Sequence, residues 1–176
     1  STTISLFSNL IFKGVGRHPK TGKKKGGIKV HTVIHANEGV PSDIKFTSAA
    51  TNDSFMLKPS TLNKGDIMAM DRAYIDYEKF EELTQRGVVY VTKLKKSLKY
   101  AINEDIMYQT PNGLMEVRLQ YVTFSKQVKG GETIIHHARI VTYVDVKKRK
   151  LVSLLTNDLA SDPDEIIAIY RRRWEI

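Results

Sequence analysis

Asp66-Ile-Met-Ala-Met-Asp71-Arg-Ala-Tyr-Ile-Asp-Tyr77 is the stretch on which the fold turns. Ile67 to Met70 is a short continuous apolar run, the pattern of a central strand covered on both faces, with Asp71 at its carboxyl end. Tyr77, Phe80 and Leu83 then recur at helical spacing, so 77–86 reads as an amphipathic helix that stops at Gly87. Val88-Val-Tyr-Val91 returns as the next, parallel strand. The class is therefore α/β. An acid at a strand end is held rigidly where neighbouring elements can bring partners. From the residues alone, Asp71 is either a carboxylate for a metal ion or a cap for the following helix.

Upstream, Thr3 to Leu10 alternates weakly and predicts a strand, broken by a basic loop around Gly14, Gly16, Pro19 and Gly22. Lys24 and Lys25 in this stretch are expected phosphate contacts. Ile28 to Ile34 alternates strictly and predicts a half-buried antiparallel strand. Ile28, Val30, Thr32 and Ile34 share one face; Lys29, His31 and Val33 share the other, where Lys29 and His31 either lean towards a metal site or, as expected, meet solvent. Asn37-Glu-Gly39 turns into a hairpin partner over 40–46. Ser48 to Leu57 is a short helical candidate, capped by Thr51 or Asn52 and ended by Pro59.

Downstream, alternating segments at Glu116 to Phe124, Ile134 to Val144 and Leu151 to Leu155 are joined by Pro111-Asn-Gly113, Gly130-Gly131 and a basic turn. They predict a β-rich region over about residues 100–152. Asp162-Pro-Asp-Glu165 then supplies an N-cap, a proline at the first helical position and acids in the first turn. The helix body runs through Ile166, Ile167, Ile169, Tyr170 and Trp174.

The chain has 176 residues, 41% of them hydrophobic, enough for one substantial core and one expected domain. No apolar run approaches the roughly 18 to 20 residues of a membrane span, so a cytoplasmic protein without a membrane partner is expected. The absence of cysteine excludes disulfides and thiolate metal sites. A formal charge of +9 makes a polyanion the natural partner. The cations cluster: Lys13 to Lys29, Lys93 to Lys99, Lys147 to Lys150 and Arg171 to Arg173. Each run alone fits a solvated turn; four together favour nucleic acid. There is no His pair at zinc spacing and no glycine-rich phosphate loop.

Tyr170 and Arg173 lie at i and i+3, on one helical face. They match the first two positions of Tyr-x2-Arg-x3-Glu-x6-Lys, the signature of a large group of bacterial insertion-sequence transposases with a DDE active site. The blocks Gly26 to His31, Gly39 to Ile44 and Asp66 to Tyr77 resemble the order of blocks in that family, so the resemblance covers nearly the whole chain. It implies an RNase H-like mixed sheet flanked by helices, with the β-rich region inserted before the last helix. It further implies that Asp71 is the second acid of a triad holding two Mg²⁺ (or Mn²⁺) ions. Tyr170 and Arg173 would contact DNA; Arg72, beside Asp71, is either a further phosphate contact or a surface residue, and Tyr74 is expected in the core. The family opens its first core strand with Asp-Ser-Thr, and this chain begins Ser1-Thr2-Thr3. Residues 1–176 are thus expected to start straight after the first acid and to stop, inside a catalytic helix over 162–176, straight before the Glu.

Such a fragment of a DNA-cutting and DNA-joining enzyme is expected to be inactive by itself and possible as a monomer, while its parent assembles as a dimer on DNA. Glu175 sits about 140° around the helix from Tyr170 and is no substitute for the missing carboxylate. Two other readings stand beside this one: a basic nucleic-acid-binding domain without catalysis, and a nuclease of the same fold.

Overall fold

A computed structural model describes residues 2–5, 27–35, 38–48, 51, 53–110, 116–128 and 130–173. The expectations for Leu6 to Leu10, the basic loop with Lys24 and Lys25, Pro111 to Gly113, and Trp174 to Ile176 lie outside these residues. The chain forms two compact units, over residues 1–56 and 57–175.

The first unit is a three-stranded antiparallel sheet of β1 (Thr2–Ser5), β2 (Gly27–His35) and β3 (Val40–Ser48), in that order. Gly39, with φ of +66°, turns β2 into β3 as the sequence predicts. The facing of β2 needs correction. Ile34 and, across on β3, Ile44 and Phe46 are exposed, whereas the ring of His31 is fully buried. The cause is the segment that follows the sheet. Among its described residues it forms a 3₁₀ turn, Asp53–Met56, and Ser48 ends β3, where the sequence predicts a helix over 48–57. Its Phe55 meets the His31 ring edge-on at 5.0 Å. Its Asp53 accepts a 2.9 Å bond from Lys29 Nζ, which also donates to the Thr51 carbonyl at 2.7 Å. Thr47 Oγ1 lies 2.8 Å from His31 Nε2. The polar face is covered because it is supplied with partners.

The second unit is a six-stranded sheet in the order β4-β5-β9-β8-β7-β6. Its strands are β4 (Ile67–Met70), β5 (Val89–Lys93), β6 (Ala101–Gln109), β7 (Glu116–Gln127), β8 (Thr133–Asp145) and β9 (Lys150–Thr156). β4 and β5 pair in parallel as expected; the other neighbours are antiparallel. The apolar run implies a central strand; among the described residues β4 pairs with β5 alone, and Ile67 is 57% exposed. β6, at the other end of the order, is exposed along most of its length. The mixed α/β architecture is consistent with an RNase H-like transposase core.

Helix α1 (Tyr77–Gln85) and helix α2 (Pro163–Arg172) cover opposite faces of this sheet, as the alternation along the strands shows. Tyr90, Phe124, Ala138, Ile140 and Leu155 pack with Phe80 and Leu83 of α1. Their neighbours Val91, Val141, Tyr143 and Leu154 pack with Ile166, Ile167 and Tyr170 of α2. No helix among the described residues is long and apolar enough to cross a membrane.

Candidate active site at the carboxyl end of strand β4

Asp71 follows β4 directly, in extended backbone geometry. Its carbonyl accepts a 3.0 Å bond from the Tyr74 amide, closing a 3₁₀ turn over Arg72–Tyr74. Its carboxylate caps nothing, since the side chain makes no hydrogen bond to that turn. The cap of α1 is Asp76, whose Oδ1 accepts from the Glu78 amide at 3.2 Å. Of the two uses the sequence left open for Asp71, helix capping is therefore taken by another residue. The Asp71 side chain is 46% exposed, which leaves its oxygens within reach of solvent or a ligand.

The last turn of α2 arrives at the same place from about a hundred residues further along the chain. Arg173 Nη2 lies 3.8 Å from Asp71 Oδ2, and Arg173 Nη1 donates to the Tyr170 hydroxyl at 3.2 Å. The guanidinium carbon also sits 5.4 Å from the centre of the Tyr170 ring. Tyr170 is 7% exposed and fixed by the α2 core cluster. Burial pushes its phenol above the ordinary range; the Arg173 charge opposes this and the Asp71 charge adds to it. Tyr170 is thus a rigid, protonated support for Arg173. At 3.8 Å and partial exposure the Arg173–Asp71 contact contributes no more than about 1 kcal/mol, so the guanidinium can exchange this partner for another anion.

Arg72 is exposed on the turn beside Asp71. Tyr74 packs against the α1 core cluster, as expected of a core aromatic. Lys24, Lys25 and Glu175 fall outside the described residues. Lys29 and His31, which the sequence places towards solvent, are engaged within the first unit instead. One contact had no visible signal in the sequence: Arg171 lies over the Tyr143 ring, its guanidinium carbon 5.5 Å from the centroid, and ties the basic end of α2 to β8.

A divalent cation needs hard oxygen ligands. Asp71 offers one such carboxylate, half-exposed and free of any capping role, and this fits one arm of a metal site. Among the described residues no group of three His, Cys, Asp or Glu side chains gathers to complete one.

The mixed α/β sheet with its flanking helices fits the family that the sequence resembles. Residues 1–176 match the Transposase DDE domain family, and the chain belongs to it. A relative is the Sinorhizobium fredii (strain NGR234) protein named "Putative transposase y4zB", 22% identical over 157 residues. The match covers 89% of this chain, which spans 44% of the relative's length.

Proposed function

We propose that this chain is catalytic-core sequence of a DNA transposase of the Tyr-x2-Arg-x3-Glu-x6-Lys type, cutting and joining DNA by phosphoryl transfer. One observation carries the reading: Asp71, Arg173 and Tyr170 converge from segments about a hundred residues apart. Transposase DDE domains are generally divalent-metal dependent, and Mg²⁺ or Mn²⁺ fits the hard oxygen of Asp71. When bound, two such ions polarise the phosphate and stabilise the attacking and leaving oxygens.

The rest falls to the protein. Asp71 holds its carboxylate at a rigid strand end. Arg173 turns from Asp71 to the DNA phosphate, where its planar fork can donate two hydrogen bonds at once. Tyr170 fixes the height and tilt of that fork, and Arg72 adds positive charge beside the carboxylate. Lys24 and Lys25 would extend the contact along the DNA backbone. Among the described residues no three metal-ligating side chains gather at Asp71, and the 176 residues alone are expected to bind DNA without cutting it. Synapsis of two transposon ends calls for a dimer of the parent on DNA.

The test replaces Asp71 by Asn in the full-length protein, with its transposon ends as substrate. Cleavage and joining should fall by about a thousandfold or more, while Mn²⁺ binding read by electron paramagnetic resonance weakens and DNA binding persists. A wild-type protein that never cleaves DNA, yet binds it more tightly once Asp71 is neutral, would sink this reading and establish the non-catalytic binder. Cleavage without joining would establish a nuclease.

A further inference from the structure

β8 and β9 form a hairpin whose tip carries an unusual pairing of properties. Of four consecutive cations, Lys147, Lys148 and Arg149 lie in the turn and Lys150 opens β9. Beside them Val146 is 81% exposed and Leu151 73%, and Leu151 faces the half-exposed Val144 directly across the hairpin. The nearby acid, Asp145, has its carboxylate engaged in the turn, where Oδ1 accepts from the Lys148 amide at 3.2 Å. Arg149 holds φ of +47°, a left-handed conformation uncommon for a side-chain-bearing residue, and its amide closes the turn on the Val146 carbonyl at 3.4 Å. The turn is therefore a defined shape that presents cations around exposed aliphatic groups.

The strand registers place this tip at the Asp71 end of the sheet. Met70 lies beside Thr92, Thr92 beside Leu155, and Leu155 beside Ile140. β9 runs antiparallel to β5, so moving past Asp71 in the direction of β4 leads from Leu155 back towards Leu151 and the turn. Leu151 lies three residues beyond the Asp71 level, roughly 10 Å along the strands, and two strands across, roughly another 10 Å. Arg171 on Tyr143 bridges the interval between the basic end of α2 and the hairpin. Asp71, α2 and the tip thus fit within about half a turn of duplex, whose repeat is about 34 Å.

We infer that the β8–β9 tip is a second duplex-DNA contact. Lys147 and Lys150 neutralise phosphates flanking the reacting strand, and Val146 packs its methyl groups into the groove between them. Charge complementarity selects the occupant. An apolar surface alone would favour a protein partner, but four adjacent cations at the end where a phosphodiester is to be held favour a polyanion, and aliphatic wedges between basic residues are how many proteins grip a groove. The inference rests on the transposase reading, which makes DNA the substrate at Asp71.

Fluorescence anisotropy of the 176-residue protein with a labelled duplex of arbitrary sequence, about three helical turns long, tests it across a salt series. The Lys147→Gln/Lys150→Gln protein should bind roughly 30-fold more weakly near physiological salt, with a salt slope shallower by about 2. Val146→Ser should weaken binding about fivefold and leave the slope unchanged. All three sites are exposed, so melting temperatures should match the wild type. An unchanged slope in the lysine variant, with wild-type DNA binding intact, overturns the inference and spares the transposase reading. Failure of the wild type to bind duplex DNA at all overturns both. Unaltered affinity in Val146→Ser removes the apolar half of the proposal.

Discussion

The two helices of the six-stranded sheet have nearly the same length and cover equivalent apolar faces, yet they end differently. α1 closes its own backbone ends. Asp76 caps its first turn, and at the other end the Gly87 amide bonds the Thr84 carbonyl and the Val88 amide the Leu83 carbonyl, the paired closure of a glycine-terminated helix. Its Glu81 accepts from or shares a proton with His136 Nδ1 at 2.9 Å, while His136 Nε2 lies 2.6 Å from the Tyr90 hydroxyl. α2 directs its polar groups elsewhere. Asp162 stands at the N-cap position, but its carboxylate accepts from the Tyr108 hydroxyl at 3.1 Å, and the helix runs into three arginines, one of which meets Asp71. Side chains at both ends of α1 also reach other elements, Glu78 to Lys126 and Arg86 to the Leu62 carbonyl, but only the last turn of α2 meets the strand-end carboxylate Asp71.

The sharpest break of that contrast is a pair of truncations. Phe80→Ala empties the middle of the α1 face, where Phe80 is fully buried and stacks on Tyr90 at 4.0 Å. It should cost about 3–5 kcal/mol in urea unfolding. Arg173→Ala removes a side chain that is only 21% exposed and should cost about 1 kcal/mol, but lower DNA cleavage by the full-length protein at least about a hundredfold. Equal stability losses for the two would erase the distinction between a structural and a functional helix.

A smaller effect separates the two faces by pH. Burial lowers the His136 pKa from its ordinary 6.5, against the opposing pull of Glu81, so the folded chain holds this imidazole neutral. The unfolded chain takes up the proton first as pH falls. The stability contributed by neutral His136 is therefore complete above about pH 6.5 and is lost as pH drops through the lower folded value. His31, lowered by burial in the first unit, acts in the same direction. The expected result is a melting temperature that declines on acidification below 6.5, with a shallower decline in His136→Gln, whose amide can still serve both Glu81 and Tyr90. An identical decline in the variant would show that His136 titrates freely.

Much of this arrangement is legible in the sequence because it depends on local rules. The Ile67 to Asp71 run, the 3.6-residue spacing of Tyr77, Phe80 and Leu83, the Gly87 stop and the Asp162-Pro163 start each specify an element through backbone preferences. The strands β7, β8 and β9 follow from alternation. What escaped is non-local. The place of β4 in the six-stranded sheet, beside β5 alone among the described residues, depends on which strand pairs with which, and a four-residue apolar run carries no such information. β6 escaped because Asn103, Glu104 and Asp105 interrupt any apolar alternation on a strand that faces solvent. The inversion of β2 was set by Asp53 and Phe55, some twenty residues away, which supply partners to the face that looks polar. Spacing brought Tyr170 and Arg173 together, but only the folded chain brings Arg173 to Asp71.

The smallest effect lies at the helix starts and tests whether an N-cap position and an N-cap bond are the same thing. Both α1 and α2 begin after an aspartate, and the sequence marks Asp162 as the cap of α2. Asp76→Ala removes a carboxylate that accepts an amide of the first turn, so it should cost about 1 kcal/mol. Asp162→Asn keeps an oxygen for the Tyr108 hydroxyl and takes no bond from the helix, which is already started by Pro163 and by the Glu165 amide on the Asp162 carbonyl at 3.0 Å. It loses only the interaction of a negative charge with the helix dipole, about 0.5 kcal/mol. If Asp162 acts through Tyr108, then Asp162→Ala and Tyr108→Phe should be non-additive by about 0.5–1 kcal/mol in a double-mutant cycle. Additive losses would mean that the carboxylate serves the α2 terminus after all, and that α2 is closed at its start in the way α1 is.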